Sequence, residues 1–244
     1  MLTLSLDTSS AAGSLAVLRD DALLGVISTR SAENYSSRMF RHLAFLLADL
    51  SLELRSFDLF SVAAGPGSFT GLRIGLTAAK GWAEVFSKPV VGISALEAVA
   101  AQAFTLDSSR DAFVIPILDA RRGQIYSAFY RALGSRLELD GHECVMYPDE
   151  LFDGIRRRAI EDPAFAKSEI VIASPEPGLI SAALSRFENS PYRFASVQRV
   201  AGVLAPSIGQ LGYAAAQRGD LRDALTLDAN YVRRSDAELQ LKGK

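Results

Sequence analysis

The chain has 244 residues, 49% of them hydrophobic, enough for a sizeable core in one large domain or two small ones. Its 26 basic and 28 acidic side chains leave a formal net charge of -2, which excludes nucleic-acid binding by bulk electrostatics alone. A single cysteine, Cys144, excludes an intrachain disulfide and a thiolate metal cluster.

Leu2, Leu4 and Leu6 alternate with Thr3, Ser5 and Asp7, which predicts a strand from the first residues onward. With no charged-then-apolar leader and no run of about 18 apolar residues, the expectation is a cytoplasmic chain without a membrane span. A turn through Thr8–Gly13 leads to a second strand over Ser14–Leu18, and Asp20-Asp21 turns into a third over Ala22–Thr29. Tyr35, Met39, Leu43, Leu46, Leu47 and Leu50 recur at helical spacing and predict a helix from about Asn34 to Leu50. The apolar run Phe57–Ala64 reads as a buried strand, followed by a helix over Ser68–Phe86 and a short strand over Val90–Ile93. Ser94 then opens a helix as its N-cap, with Glu97 completing a capping box.

The order then restarts. Phe113–Asp119 is a strand ending in Asp, as Leu2–Asp7 is, and the turn Ala120–Gly123 leads to strands over Gln124–Arg131 and within Leu137–Met146. A strand at Glu169–Ala173 and helices at Gly178–Phe187 and Ala201–Arg218 follow. Duplication of a βββαβα unit predicts a two-lobed α/β protein with ligand between the lobes. The expected organisation is an N-terminal lobe over 1–106, a C-terminal lobe over 107–222, and a tail over 223–244 packing back across them. The boundary is placed in Thr105–Arg110.

The segment Gly65-Pro66-Gly67-Ser68-Phe69-Thr70-Gly71-Leu72-Arg73-Ile74-Gly75 joins a buried strand to a small-residue helix through a glycine turn, a setting that can present backbone N–H groups to an anion. Leu72 and Arg73 follow Gly71 where a Walker A loop needs Lys and Ser or Thr, and Thr70 stands where a nucleophile elbow needs Gly. Neither catalytic loop is spelled here.

Four pieces, in order and at matching spacing, resemble the TsaB (YeaZ-like) family of the bacterial machinery that makes N6-threonylcarbamoyladenosine (t6A) in tRNA. They are Leu4–Ser9, Gly65–Gly75, Asp119-Ala120-Arg121-Arg122-Gly123-Gln124-Ile125-Tyr126, and Asn230-Tyr231-Val232-Arg233-Arg234-Ser235-Asp236-Ala237-Glu238. Gln124 stands where that family usually carries Glu, and Asn34-Tyr35-Ser36-Ser37 replaces its usual His-Ser helix start. The resemblance implies a two-lobed, duplicated RNase H-like, actin-like ATPase (ASKHA) fold with mixed sheets flanked by helices. It further implies a noncatalytic subunit that pairs with a TsaD-like catalytic paralogue holding a metal through a His-x-x-x-His helix. A TsaE-like ATPase, tRNA reached only through the complex, and a homodimer in isolation complete the implied partners. No cofactor is required of the chain alone, with ATP or ADP expected at the complex interface. The only histidines here, His42 and His142, are too far apart in sequence for that metal motif.

Asp7, Thr8 and Ser9 follow the first strand where actin-like ATPases hold phosphate and metal. With Gly65, Gly67, Ser68 and Asp119, they are the candidate nucleotide or anion site. The competing reading is that Asp7 orders its own turn and that Ser9, in place of glycine, crowds a phosphate. Gly71, Gly75 and Ala79 recur at i, i+4 and i+8, a face that lets another helix approach closely. With Met39, Leu43, Leu46, Leu72 and Trp82 they are the candidate partner interface, on which Gly75→Trp is expected to block pairing and leave the monomer folded. Phe40, Phe45, Leu72, Leu76 and Trp82 are read as lying off the core seams. Arg156-Arg157-Arg158 and Arg233-Arg234 are read as contacts to tRNA or a partner, or as solvated faces. His142 and Cys144 share a strand without a third ligand, so no metal site is expected. A free-standing small-molecule kinase or ATPase of the same fold is the alternative function. A peptidase is opposed by the lack of any Ser/His/Asp arrangement around Ser68.

Overall fold

The computed structural model describes residues 1–10, 12–30, 35–104, 112–134, 136–187, 196–221 and 224–233. The expected boundary segment Thr105–Arg110, the helix start at Asn34, and the tail from Arg234 onward lie outside them. The chain divides into two compact units, one formed by Met1–Ala98 with Val203–Lys244 and the other by Val99–Gly202.

In the first unit, β1 (Leu2–Asp7), β2 (Ser14–Arg19), β3 (Ala22–Ser28), β4 (Leu59–Gly65) and β5 (Val90–Ser94) form one sheet in the order β3-β2-β1-β4-β5. β2 is antiparallel to β1 and β3, whereas β4 runs parallel to β1 and β5. The alternation in β1 sorts the two faces. Leu4 and Leu6 join Leu15, Val17, Phe60 and Val62 in a core covered by α1 (Tyr35–Asp49) and α2 (Phe69–Phe86). Full burial of such side chains contributes roughly 1.5–3 kcal/mol each.

The opposite face is built from hydroxyls and small residues, and α7 (Ala205–Arg218) lies on it. Ser5 Oγ donates to Ala205 O at 2.7 Å and Ser61 Oγ to Ile208 O at 2.8 Å, so these two buried strand hydroxyls are satisfied by helix carbonyls. Ala205 N in turn donates to Ser14 Oγ at 3.2 Å. Glycines let this helix come close, since a Cβ at Gly212 would collide with Ser61 and one at Gly209 with Leu18. This docking corrects the expected 107–222 lobe: its last helix completes the first unit, because its small face fits the hydroxyl face of the first sheet.

The second unit repeats the plan. β6 (Ala112–Asp119), β7 (Ile125–Leu133), β8 (Arg136–Met146), β9 (Glu169–Ser174) and β10 (Ser196–Arg199) take the order β10-β9-β6-β7-β8, which is the first sheet's order strand for strand. Pro116 sits in the central strand β6, where it has no N–H for the ladder. Pairing with β7 lapses beside it, and Ser127 Oγ donates to Pro116 O at 2.9 Å. Two helices were not foreseen, α4 (Pro148–Glu161) and α5 (Pro163–Lys167), as well as the short strand β10. α4 opens with Pro148 at N1 and with Tyr147 N donating to Glu150 Oε2 at 2.6 Å. It buries Leu151, Phe152, Ile155 and Ala159. α3 (Ala95–Ala103) starts as expected, Ser94 Oγ accepting from Leu96 N and Glu97 N at 3.1 and 3.3 Å. α6 (Ser181–Phe187) is the C-terminal part of the helix expected from Gly178, its start being a 3-10 turn.

The Arg156–Arg158 cluster is not a uniform solvated face. The Arg158 guanidinium lies over the rings of Phe165, Phe113 and Phe129 at 4.6, 4.9 and 5.3 Å and pairs with Asp140. Among the described residues, no helix is long and apolar enough to cross a membrane.

Substituting Gly212→Val forces a side chain into Ser61 and Val91, and is expected to cost about 1–3 kcal/mol of stability. Urea unfolding should show a lower midpoint with an unchanged slope.

Candidate functional site

The glycine turn and the Asp7–Ser9 turn meet at the C-terminal ends of β1 and β4. Ser68 N donates to Ser9 O at 2.7 Å, and Thr8 Oγ1 donates to Gly71 O at 2.7 Å. A Cβ at Gly67 would come within 2.6 Å of Ser9 Cβ and O, one at Gly71 would collide with Thr8 O, and one at Gly75 with Thr8 Oγ1. The positions without side chains on α2 therefore seat the first turn of the same unit. Ser68 caps α2, its Oγ accepting from Gly71 N at 3.3 Å.

Asp7 is wholly buried. Its Oδ1 accepts from Ser9 N at 2.8 Å and from Ser9 Oγ at 2.6 Å, while Oδ2 has no partner. Burial pushes its carboxyl up from the ordinary 3.8, against the smaller opposing pull of the Ser9 hydroxyl and amide. As placed, the turn does not fit a nucleotide phosphate. Thr8 and Ser9 spend their hydroxyls on the chain, Ser9 is packed against Gly67, and no open carboxylate is offered to a cation.

Asp119 occupies the matching place in the second unit. Its Oδ1 accepts from Arg121 N at 2.7 Å, as Asp7 Oδ1 accepts from Ser9 N, and its Oδ2 pairs with Arg121 at 3.2 Å. Two strand-ending aspartates thus close the same Asx turn. Arg121 and Arg122 both take positive φ, 63° and 56°, ahead of Gly123 at 73°. His142 and Cys144 lie on β8 with Cys144 Sγ donating to His142 O at 3.4 Å. Burial, and then Glu143, push the thiol up, away from a reactive thiolate.

The residues expected at a partner interface are placed differently. Met39, Leu43, Leu46, Leu72 and Ala79 are buried in the core of the first unit, as is Leu76. Gly71 and Gly75 face Thr8. These positions pack inward because the sheet's leucine face needs both helices' apolar seams. Trp82 is half-buried, its ring 6.5 Å from Phe40. The large apolar side chains that α1 and α2 expose most are Phe40, Phe45 and Val85, at 58%, 64% and 75%. Large apolar side chains off the buried seam were the readable signal for the first two. Val85 carries no comparable signal, being one aliphatic residue in the last turn of an apolar helix. Of the tail expected over 223–244, the described part is an arm at 224–233, where Arg73 Nε donates to Tyr231 Oη at 3.2 Å and Phe69 stacks on Tyr231 at 4.9 Å.

Two outcomes follow. Gly75→Trp drives an indole into Thr8 and Val62 and is expected to unfold the first unit, read as loss of the cooperative thermal transition. For Asp7 the folded state binds a proton more tightly than the unfolded state. Its stabilising contribution is therefore full below about 3.8 and lost as pH rises through the raised native value. Asp7→Asn should remove this dependence, so the melting temperature of the wild type should fall relative to the variant as pH rises.

Residues 17–190 match the family model described as "TsaD: tRNA N6-adenosine threonylcarbamoyltransferase". The tRNA threonylcarbamoyladenosine biosynthesis protein TsaB of Bacillus subtilis is 36% identical over 138 residues, 57% of this chain and 58% of that protein. The TsaB protein of Haemophilus influenzae is 35% identical over 123 residues, 50% of this chain and 51% of that one. The matched part thus spans little more than half the length of these curated relatives. In structure, YeaZ from Pseudomonas aeruginosa superimposes with a TM-score of 0.70 at 24% identity, over 94% of this chain and 99% of that chain. The ROK hexokinase from Thermus thermophilus gives 0.52 at 11% identity, over 88% and 100%, a likeness of fold alone. The chain belongs to the family described by the TsaD-type tRNA N6-adenosine threonylcarbamoyltransferase model, and within it is similar to the TsaB (YeaZ-like) proteins.

Proposed function

We propose that this chain is a noncatalytic subunit of the machinery that forms N6-threonylcarbamoyladenosine in tRNA, and that it acts by pairing with a TsaD-like catalytic subunit. The observation that carries this reading is the family match over residues 17–190. Two further features support it. The two histidines, His42 in α1 and His142 in β8, cannot supply a His-x-x-x-His metal helix. The hydroxyls of the Asp7–Ser9 turn are engaged in structure and not directed at a ligand.

On this reading the working surface is on α1 and α2, where Phe40, Phe45 and Val85 are exposed apolar side chains and half-buried Trp82 lies beside Phe40. The same face serves a homodimer when the catalytic partner is absent. A TsaE-like ATPase joins the complex, ATP or ADP is bound at the interface with a partner, and tRNA is engaged through the complex in the cytoplasm. Nothing in the site favours the alternative of a free-standing kinase.

The test is to deplete the protein in its host, quantify N6-threonylcarbamoyladenosine in total tRNA by nucleoside mass spectrometry, and re-express variants. Wild type should restore the modification. A Phe45→Glu, Val85→Glu double variant should keep the wild-type circular dichroism spectrum and melting temperature within a few degrees, yet fail to pair and fail to restore it. Unchanged modification on depletion would refute the function. Rescue by the double variant would refute the interface.

A further inference from the structure

Residues 224–233 form an arm that reaches the corner between β4 and α2 within the first unit. One side chain anchors it: Leu227 is buried in the core cluster, with Ala224 and Ala229 half-buried beside it. The main chain is held twice, Asn230 N donating to Ala64 O at 2.7 Å and Lys80 Nζ donating to Leu227 O at 2.8 Å. The aromatic end is clamped by Phe69 and Arg73, whose guanidinium lies 3.9 Å over the Phe69 ring.

The receiving surface is shaped for this segment. A Cβ at Gly92 would stand 2.6 Å from Leu227 Cδ1, and one at Gly65, where φ is +126°, would collide with Asn230 O. Two glycines far away in sequence thus leave room for a leucine and for a passing backbone. A pocket for one side chain, main-chain bonds to a strand end and an aromatic clamp are the elements by which folded domains hold extended peptides. Between its packed positions the arm is open to water: Leu225 is 87% exposed, and Thr226, Asp228 and Asn230 are exposed. A segment with one deep anchor opens more readily than the sheet beneath it.

We propose that the β4–α2 corner is a binding site for an extended peptide with leucine and tyrosine four positions apart, and that its ligand is this chain's own arm, Leu227–Tyr231, docked reversibly. The proposal does not rest on the proposed function.

Hydrogen exchange on the intact wild-type protein tests the reversibility. The Asn230 amide should exchange at least 100-fold faster than the central β4 amides, yet more slowly than in a free peptide. Exchange of Asn230 only at the rate of β4 would make the arm a fixed part of the core and overturn the proposal. Peptide binding tests the site itself. A fluorescein-labelled synthetic peptide of residues 224–233 should bind full-length Leu227→Asp saturably by fluorescence anisotropy, and at least tenfold more weakly to wild type, whose groove is filled. Adding Gly92→Leu should abolish binding to the variant. If Leu227→Asp does not fold, full-length Tyr231→Ala replaces it. Absence of binding to a folded variant, or binding to wild type as tight as to the variant, overturns the assignment.

Discussion

The first unit depends on how closely α2 approaches the turn after β1. At Gly67, Gly71 and Gly75 there is nothing between the helix backbone and Thr8-Ser9, and the carbonyl of Gly71 becomes an acceptor for the Thr8 hydroxyl. That contact fixes where α2 starts, which places Leu72, Leu76 and Ala79 over the leucine face of the sheet. It also turns Arg73 and Val85 outward. A glycine series that resembles a docking stripe in sequence is the device that lets one unit close on itself.

Much of the architecture is legible because its cause is local. The period of two in Leu2–Asp7 and of 3.6 in Met39–Leu50 name their elements directly, and the Asp-ended strands at Asp7 and Asp119 announce a repeat that both sheet order and Asx turns display. What escaped reading depends on contacts between distant segments. Whether Gly75 faces a partner or Thr8 cannot be decided from spacing, since both readings ask for the same small residue. The packing of α7 on the first sheet is equally hidden: neither the alternation around Ser5 nor the buried run around Ser61 tells which carbonyls their hydroxyls will meet. The α4 and α5 helices were readable from Pro148, Asp162 as N-cap and the spacing of Leu151, Ile155 and Ala159, but the charged face of α4 diluted the pattern and α5 is only 5 residues long.

The repeat has diverged in how each unit closes its core. In the first, leucines face two helices and hydroxyls face a third. In the second, isoleucines share the core with aromatic side chains, Phe113, Phe129 and Phe165 gathered under the Arg158 guanidinium and Phe152 stacked on Phe187. A charged group is tolerated there because Asp140 pairs with it and the ring faces are electron-rich. The aspartates at both turns keep the same hydrogen bond, yet only Asp7 is sealed from water, and burial pushes its carboxyl up from the ordinary value.

The return of α7 to the first sheet has a consequence for how the chain is made. Synthesis delivers β1 to β5 early, but the helix that covers their hydroxyl face follows some two hundred residues after β1, once the whole of Val99–Gly202 has emerged. The second unit is contiguous and can fold as it leaves the ribosome. The first must wait with one face of its sheet bare, so native contacts of high sequence separation complete it last and make it the part most in need of protection during translation.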